Sequence, residues 1–190
     1  MYFIPSLIRI ACITVFISIN GCGVLVGNIR PVTEKAEQYG ILDLSQERPD
    51  LWIKIQNKSA NEERTDSDTT PSEVSDVAFQ ALKSPSIIAL NSGCRPSVQT
   101  QTKELKDLTN ELLMGFTEVE NRIEKNITLE QSPALETTIR GKMADKPIFL
   151  RTVVLRKNRC VYDLLFMSSP TDFTTHESDF SKFVASLRIK

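Results

Sequence analysis

Residues 147–167 constrain the fold of this chain more than any other stretch. Pro147–Arg156 contains IFLRTVVL and Cys160–Met167 contains CVYDLLFM, with only Lys157-Asn158-Arg159 between them. Branched and aromatic side chains suit a pleated, half-buried surface. A short polar break between two such runs predicts a hairpin. Two further strands are expected upstream. Val119–Leu129 alternates Ile123 and Ile127 with charged neighbours, and Ala134–Lys142 sets Leu135, Thr137 and Ile139 on one face. Four consecutive strands with an apolar hairpin at the end require something to cover the sheet.

Two helices are predicted for that role. Over Thr102–Phe116, Leu105, Leu108, Leu112 and Leu113 recur at helical spacing, while Lys103, Glu104, Lys106, Asp107 and Glu111 take the other face. Gly115 stands where a C-terminal glycine cap belongs. In the last segment Phe173, Phe180, Phe183, Val184 and Leu187 form one apolar stripe. Ser169-Pro170 reads as a cap with an N1 proline, and Thr174 with Glu177 as a capping box.

Earlier in the chain, Val77–Leu82 and Ile87–Leu90 flank a Ser84-Pro85 turn and predict a second hairpin, closed by the breaker cluster Asn91–Pro96. Leu51–Ile55 is a short apolar piece carrying the lone tryptophan, Trp52, expected in the core at the domain's edge. Residues 57–73 hold one alanine and no larger apolar side chain, so a mobile loop is expected there. The order of strands, helix, four strands and helix argues for one α+β domain over residues 41–190, an antiparallel sheet flanked by helices.

The beginning of the chain reads differently. Ile10–Ile19 is apolar, is preceded by Arg9, and runs into Asn20-Gly21-Cys22. A basic residue, a short apolar core and a small residue at the cleavage site make a secretory signal peptide, here residues 1–21. Residues 22–40 mix glycine, proline and charge without periodicity and read as a flexible tether. The near absence of charge from Ile10 to Gly27 leaves an uncleaved membrane anchor as the alternative. The whole chain carries −1, and loss of residues 1–21, whose one charged side chain is Arg9, leaves −2. No nucleic-acid partner is expected from that balance.

Cys12 leaves with the signal, so Cys94 and Cys160 remain as a pair beyond Cys22. Outside the cytoplasm they are expected to form a disulfide, worth up to roughly 4 kcal/mol in the chain-entropy picture. Two buried free thiols packed as small hydrophobes are the alternative.

The ending Ile19-Asn20-Gly21-Cys22 resembles the lipobox of bacterial lipoproteins. That resemblance implies acylation of Cys22, with palmitate-type chains holding the domain to the cell envelope. Gly23 in place of aspartate implies, under the enteric sorting rule, the outer membrane facing the periplasm. The mature domain is similar to the PsbP-like α/β/α proteins in its late hairpin, Phe149–Val154 into Val161–Leu164, and in its closing Phe180-x-x-Phe183-x-x-Ser186. That fold implies a protein-binding scaffold.

Catalytic chemistry is not expected. His176 is the one histidine, too few for a zinc site of the usual ligand count. A dyad with Cys94 or Cys160 would lose its nucleophile to a disulfide. Asn91-Ser92-Gly93-Cys94 is no nucleophile elbow, and no phosphate-binding or dinucleotide glycine motif occurs. Glu118, Glu120 and Glu124 read as the wet face of a strand, and Asp163 as outward-facing or paired with Arg151. The expectation is a non-catalytic envelope lipoprotein without cofactor, bound to the membrane through Cys22 and to an envelope protein partner. The alternative is a carrier or chaperone for a lipid or small apolar ligand, which requires an apolar chamber between sheet and helix.

Overall fold

The computed structural model describes residues 36, 38–55, 75–94 and 103–190, all within one compact unit, Val32–Lys190. The expected signal peptide, Cys22 and the loop at 57–73 lie outside the described residues. In chain order the elements are β1 Tyr39–Gly40, α1 Leu44–Glu47, β2 Trp52–Ile55, β3 Val77–Ala81 and β4 Ile87–Cys94. Then follow α2 Leu105–Leu112, β5 Glu118–Leu129, β6 Ser132–Met143, β7 Lys146–Lys157, β8 Cys160–Ser168, α3 Phe173–Ala185 and β9 Arg188–Ile189.

Seven strands form one sheet in the order β2-β3-β4-β8-β7-β6-β5, every pair antiparallel. β1 and β9 pair separately. Because neighbouring residues of a strand point to opposite faces, β7 and β8 each serve two layers. Val153, Leu155, Tyr162, Leu164 and Phe166 meet Phe173, Phe180 and Phe183 of α3. Val154 and Val161 meet Leu108 of α2, with Leu105 and Leu112 beside it. The result is an α/β/α sandwich, an α+β domain as the element order implies.

The α3 layer is filled by aromatic rings. Phe166 stacks on Phe173 at 5.2 Å and on Phe180 at 5.8 Å, Phe149 lies 4.8 Å from Phe173, and Phe79 meets Phe183 edge-on at 6.0 Å. These ring contacts lie in the layer between sheet and α3 where a carrier's apolar chamber would have to sit.

The element boundaries differ from expectation where tertiary contacts decide them. β4 does not break at Asn91. It continues through Cys94, because Asn91, Ser92, Gly93 and Cys94 pair with Asp163, Tyr162, Val161 and Cys160 of β8. The last residues of the expected tether belong to the fold, since Tyr39 and Gly40 pair with Ile189 and Arg188. α2 is shorter than expected and ends without a left-handed glycine. Leu113 caps it at φ −93, and the turn is tightened by Leu113 N–H to Asn110 O and Phe116 N–H to Leu113 O. α3 has Asp172 as its N-cap residue, so Thr174 and Glu177 lie inside the helix and form no capping box. Glu177 is instead drawn to Arg151, at 3.2 Å.

Asp163 and Arg151 do not meet across the hairpin. Arg151 stands on the α3 face, opposite Phe166, and Asp163 stands on the α2 face, opposite Val154. Arg151 donates to Glu136, Glu177 and Ser181 and lies over the Phe180 ring, tying β6, β7 and α3 together.

All three meander turns use two residues with positive φ: Glu130-Gln131, Ala144-Asp145 and Asn158-Arg159. Two consecutive left-handed residues make the type I′ turn that matches strand twist, a position that favours Asn and Gly. Only the third of these turns carries such a residue. Asp145→Gly is therefore expected to raise stability by about 0.5–1 kcal/mol. A urea midpoint at or below that of the unsubstituted protein would refute it.

β5 forms an edge and guards it with charge. Glu118 pairs with Lys142 at 2.7 Å, Glu120 with Arg140 at 2.9 Å, and Glu124 with Arg122 at 2.6 Å. The register slips between Val119 and Asn121, and at this bulge a Cβ on Gly141 would lie 2.2 Å from the Glu118 carbonyl oxygen. Only glycine fits there.

Candidate functional site

Two groups of polar side chains stand out from the core. The first lies under the first two turns of α3. Trp52, 1% exposed, donates its Nε1–H to Asp179 Oδ2 at 2.9 Å, and Arg48 reaches Asp179 Oδ1 at 3.5 Å. His176 packs edge-on against Trp52 at 4.9 Å, and its Nε2 lies 3.4 Å from Ser84 Oγ. Ser84, His176 and Asp179 thus stand in the chemical order of a hydrolase triad.

The distances do not make that triad. His176 Nδ1 is 3.9 Å from Asp179 Oδ2, beyond hydrogen-bond length, and has no hydrogen-bond partner. The oxygen that would orient it already accepts from Trp52. Asp179, 2% exposed, acts as a clamp that joins α3 to β2 and to the end of α1. Sequence reading places Trp52 in the core correctly but passes over Asp179. The available signal was a carboxylate three residues after His176 and beside Phe180, within the apolar stripe.

The second group lies at the opposite end of the strands. Cys94 and Cys160 are register partners on β4 and β8 and are joined by a disulfide, with Cα atoms 4.1 Å apart. Neither sulfur is a thiol, so neither serves as a nucleophile beside His176. Two residues inward, Ser92 pairs with Tyr162 and donates its hydroxyl to Asp76. Ser92 Oγ also accepts the Ala36 N–H at 2.8 Å, and Tyr39 meets the Tyr162 ring edge-on at 6.2 Å. The entering chain is therefore fastened beside the disulfide.

Burial, with the charge of Asp76 and a hydrogen bond to it, pushes the Tyr39 hydroxyl far above the ordinary tyrosine range. Burial and the Asp76 charge also raise Tyr162. The folded state thus keeps protons that the unfolded chain releases near pH 10. Stability is expected to be complete below about pH 10 and to fall as pH rises above it. Denaturant midpoints followed from neutral to alkaline pH test this, and Tyr39→Phe should flatten the decline. An equally steep decline in Tyr39→Phe would refute the assignment.

The remaining sequence candidates resolve simply. Glu118, Glu120 and Glu124 are ion-paired on an edge strand and do not converge. An open depression of about 530 Å³ lies between α2 and β5–β6, lined by Glu104, Lys106, Glu124 and Asn126 with Leu105 and Leu135. It is charged and open to solvent. Among the described residues no group of three or more His, Cys, Asp or Glu side chains is placed to hold a metal ion. None of their helices is long and apolar enough to cross a membrane.

A seven-stranded antiparallel sheet with α3 on one face and α2 on the other is the PsbP-like α/β/α fold. Among solved structures the chain is similar to the cyanobacterial PsbP protein CyanoP of Synechocystis sp. PCC 6803. The identity is 15% and the TM-score 0.51, over 90% of this chain and 99% of that one. It is also similar to LpqN of Mycobacterium tuberculosis, a protein involved in cell envelope biogenesis, at 14% identity and TM-score 0.48, over 80% and 83% of the two chains. At these identities the likeness is one of fold. No family model and no curated protein sequence matches the chain.

Proposed function

We propose that this chain is a non-catalytic lipoprotein of the bacterial cell envelope, anchored through Cys22 and serving as a binding or accessory subunit of an envelope assembly or transport system. The observation that carries this reading is the Cys94–Cys160 disulfide, which persists in oxidising compartments outside the cytoplasm. It agrees with the export signal over residues 1–21. Gly23 after Cys22 favours the outer membrane, with the domain in the periplasm. Lasting attachment takes more than one acyl chain, at about 0.8 kcal/mol per buried methylene, and a diacylated, N-acylated cysteine supplies them.

Replacement of Cys22 by alanine tests the anchor. Loss of incorporated palmitate and release from the membrane fraction, or arrested processing, are the expected results. A Cys22→Ala chain that is still processed and membrane-bound refutes the reading. The accessory role is tested by cross-linking in intact envelopes, where a stoichiometric protein partner is expected. Recovery of the protein alone, with a lipid in its core, would move the assignment to the carrier class.

A further inference from the structure

The end of the domain that receives the chain is basic. Arg156, Lys157 and Arg159 flank the β7–β8 turn, Arg188 and Lys190 belong to the C-terminal segment, and hydrogen bonds hold these pieces together. Asn158 Nδ2 donates to Lys190 O at 3.0 Å, Lys190 N–H to Gln38 O at 3.1 Å, and Lys157 Nζ to Glu130 O at 2.9 Å. Among the described residues, the carboxylate side chains set against these five cations are Glu130 and, one row deeper, Asp76. Glu130 is already engaged by the Ile189 N–H, Lys157 and Arg188.

Exposure leaves the charge available. Arg188 is 65% exposed at its side chain, and Arg159 and Lys190 are exposed and make no side-chain ion pair among the described residues. The opposite end of the sheet mixes signs, with Lys83 in the β3–β4 turn, Asp145 and Lys146 at the β6–β7 turn and Asp172 at the start of α3. The mature chain is net negative, so this cationic end is a local feature.

We infer that this basic end is a docking surface for an anionic phospholipid bilayer, on which it seats the domain beside its own anchor. The inference rests on the reading of Cys22 as the lipid-bearing residue. Ala36 is fastened at this end, and fourteen residues separate it from Cys22, a reach of at most about 50 Å. An anchor at Cys22 therefore keeps this end within reach of the headgroups. Basic residues near an anionic surface supplement an acyl chain, each strengthening attachment about fivefold. Screening by salt weakens that contribution.

The test uses the mature chain, residues 22–190, carrying Cys22→Ala, so that neither an acyl chain nor the apolar Ile10–Ile19 segment contributes, and sedimentation with vesicles. Binding to phosphatidylglycerol–phosphatidylcholine vesicles should exceed binding to phosphatidylcholine alone and should fall with added salt. Arg159→Gln with Lys190→Gln, two exposed side chains, should lower binding about twenty-fivefold. Lys83→Gln with Lys146→Gln, the same change in net charge at the other end, should leave it unaltered. Equal binding to neutral and anionic vesicles, or equal losses in the two double variants, overturns the inference. Because the acyl chain is absent throughout, failure here is separable from failure of the anchor, which the fractionation of Cys22→Ala decides.

Discussion

Opening the Cys94–Cys160 bridge is expected to lower the free energy of unfolding by about 4 kcal/mol. The two cysteines are 66 residues apart in sequence, and the chain between them contains α2, β5, β6 and β7. In the unfolded state the bridge removes the freedom of that whole excursion. In the folded state β4 and β8 hold the same residues in register without it, from Ile87–Met167 to Cys94–Cys160. The cost of reduction should therefore appear mainly as a lower denaturant midpoint, with the β4–β8 pairing retained. A Cys94→Ala/Cys160→Ala chain, compared with the oxidised protein in guanidinium, measures it. An unchanged midpoint would show that the bridge contributes nothing through the unfolded chain.

Asp179→Ala should be nearly as damaging, at about 3 kcal/mol. It leaves the buried Trp52 N–H without its acceptor and takes the partner from Arg48. Asp179→Asn keeps an acceptor oxygen and should cost roughly 1 kcal/mol. The ordering of the two variants separates loss of the hydrogen bond from loss of the charge. Trp52 is the single tryptophan of the chain, so its fluorescence reports directly on this cluster during unfolding. If Asp179→Ala and Asp179→Asn unfold together at the midpoint of the unsubstituted protein, the clamp is not holding α3 to β2.

Local pattern and long-range contact divide the information in this chain. The meander from β5 to β8 is legible to within a residue or two, because alternation and apolar runs are properties of neighbours. The α3 stripe is legible for the same reason. The continuation of β4 through Asn91-Ser92-Gly93-Cys94 is not, because those residues are weak strand formers held by β8. Nor are the type I′ turns at Glu130-Gln131 and Ala144-Asp145, whose left-handed residues carry no glycine or asparagine signal. There the paired strands impose the turn.

The sequence by itself determined the α+β class, the core-facing residues of the late strands and the candidate lipid site at Cys22, all written in contiguous residues. Tertiary structure decided that β4 lies beside β8, which turns two distant cysteines into register partners and joins them. It also decided that Trp52 and Asp179 meet, and that Arg156–Arg159, Arg188, Lys190 and the entering chain share one end. Each of these joins residues separated by tens of positions or more. The closure of the sheet, rather than any short-range periodicity, brings them within a few ångströms.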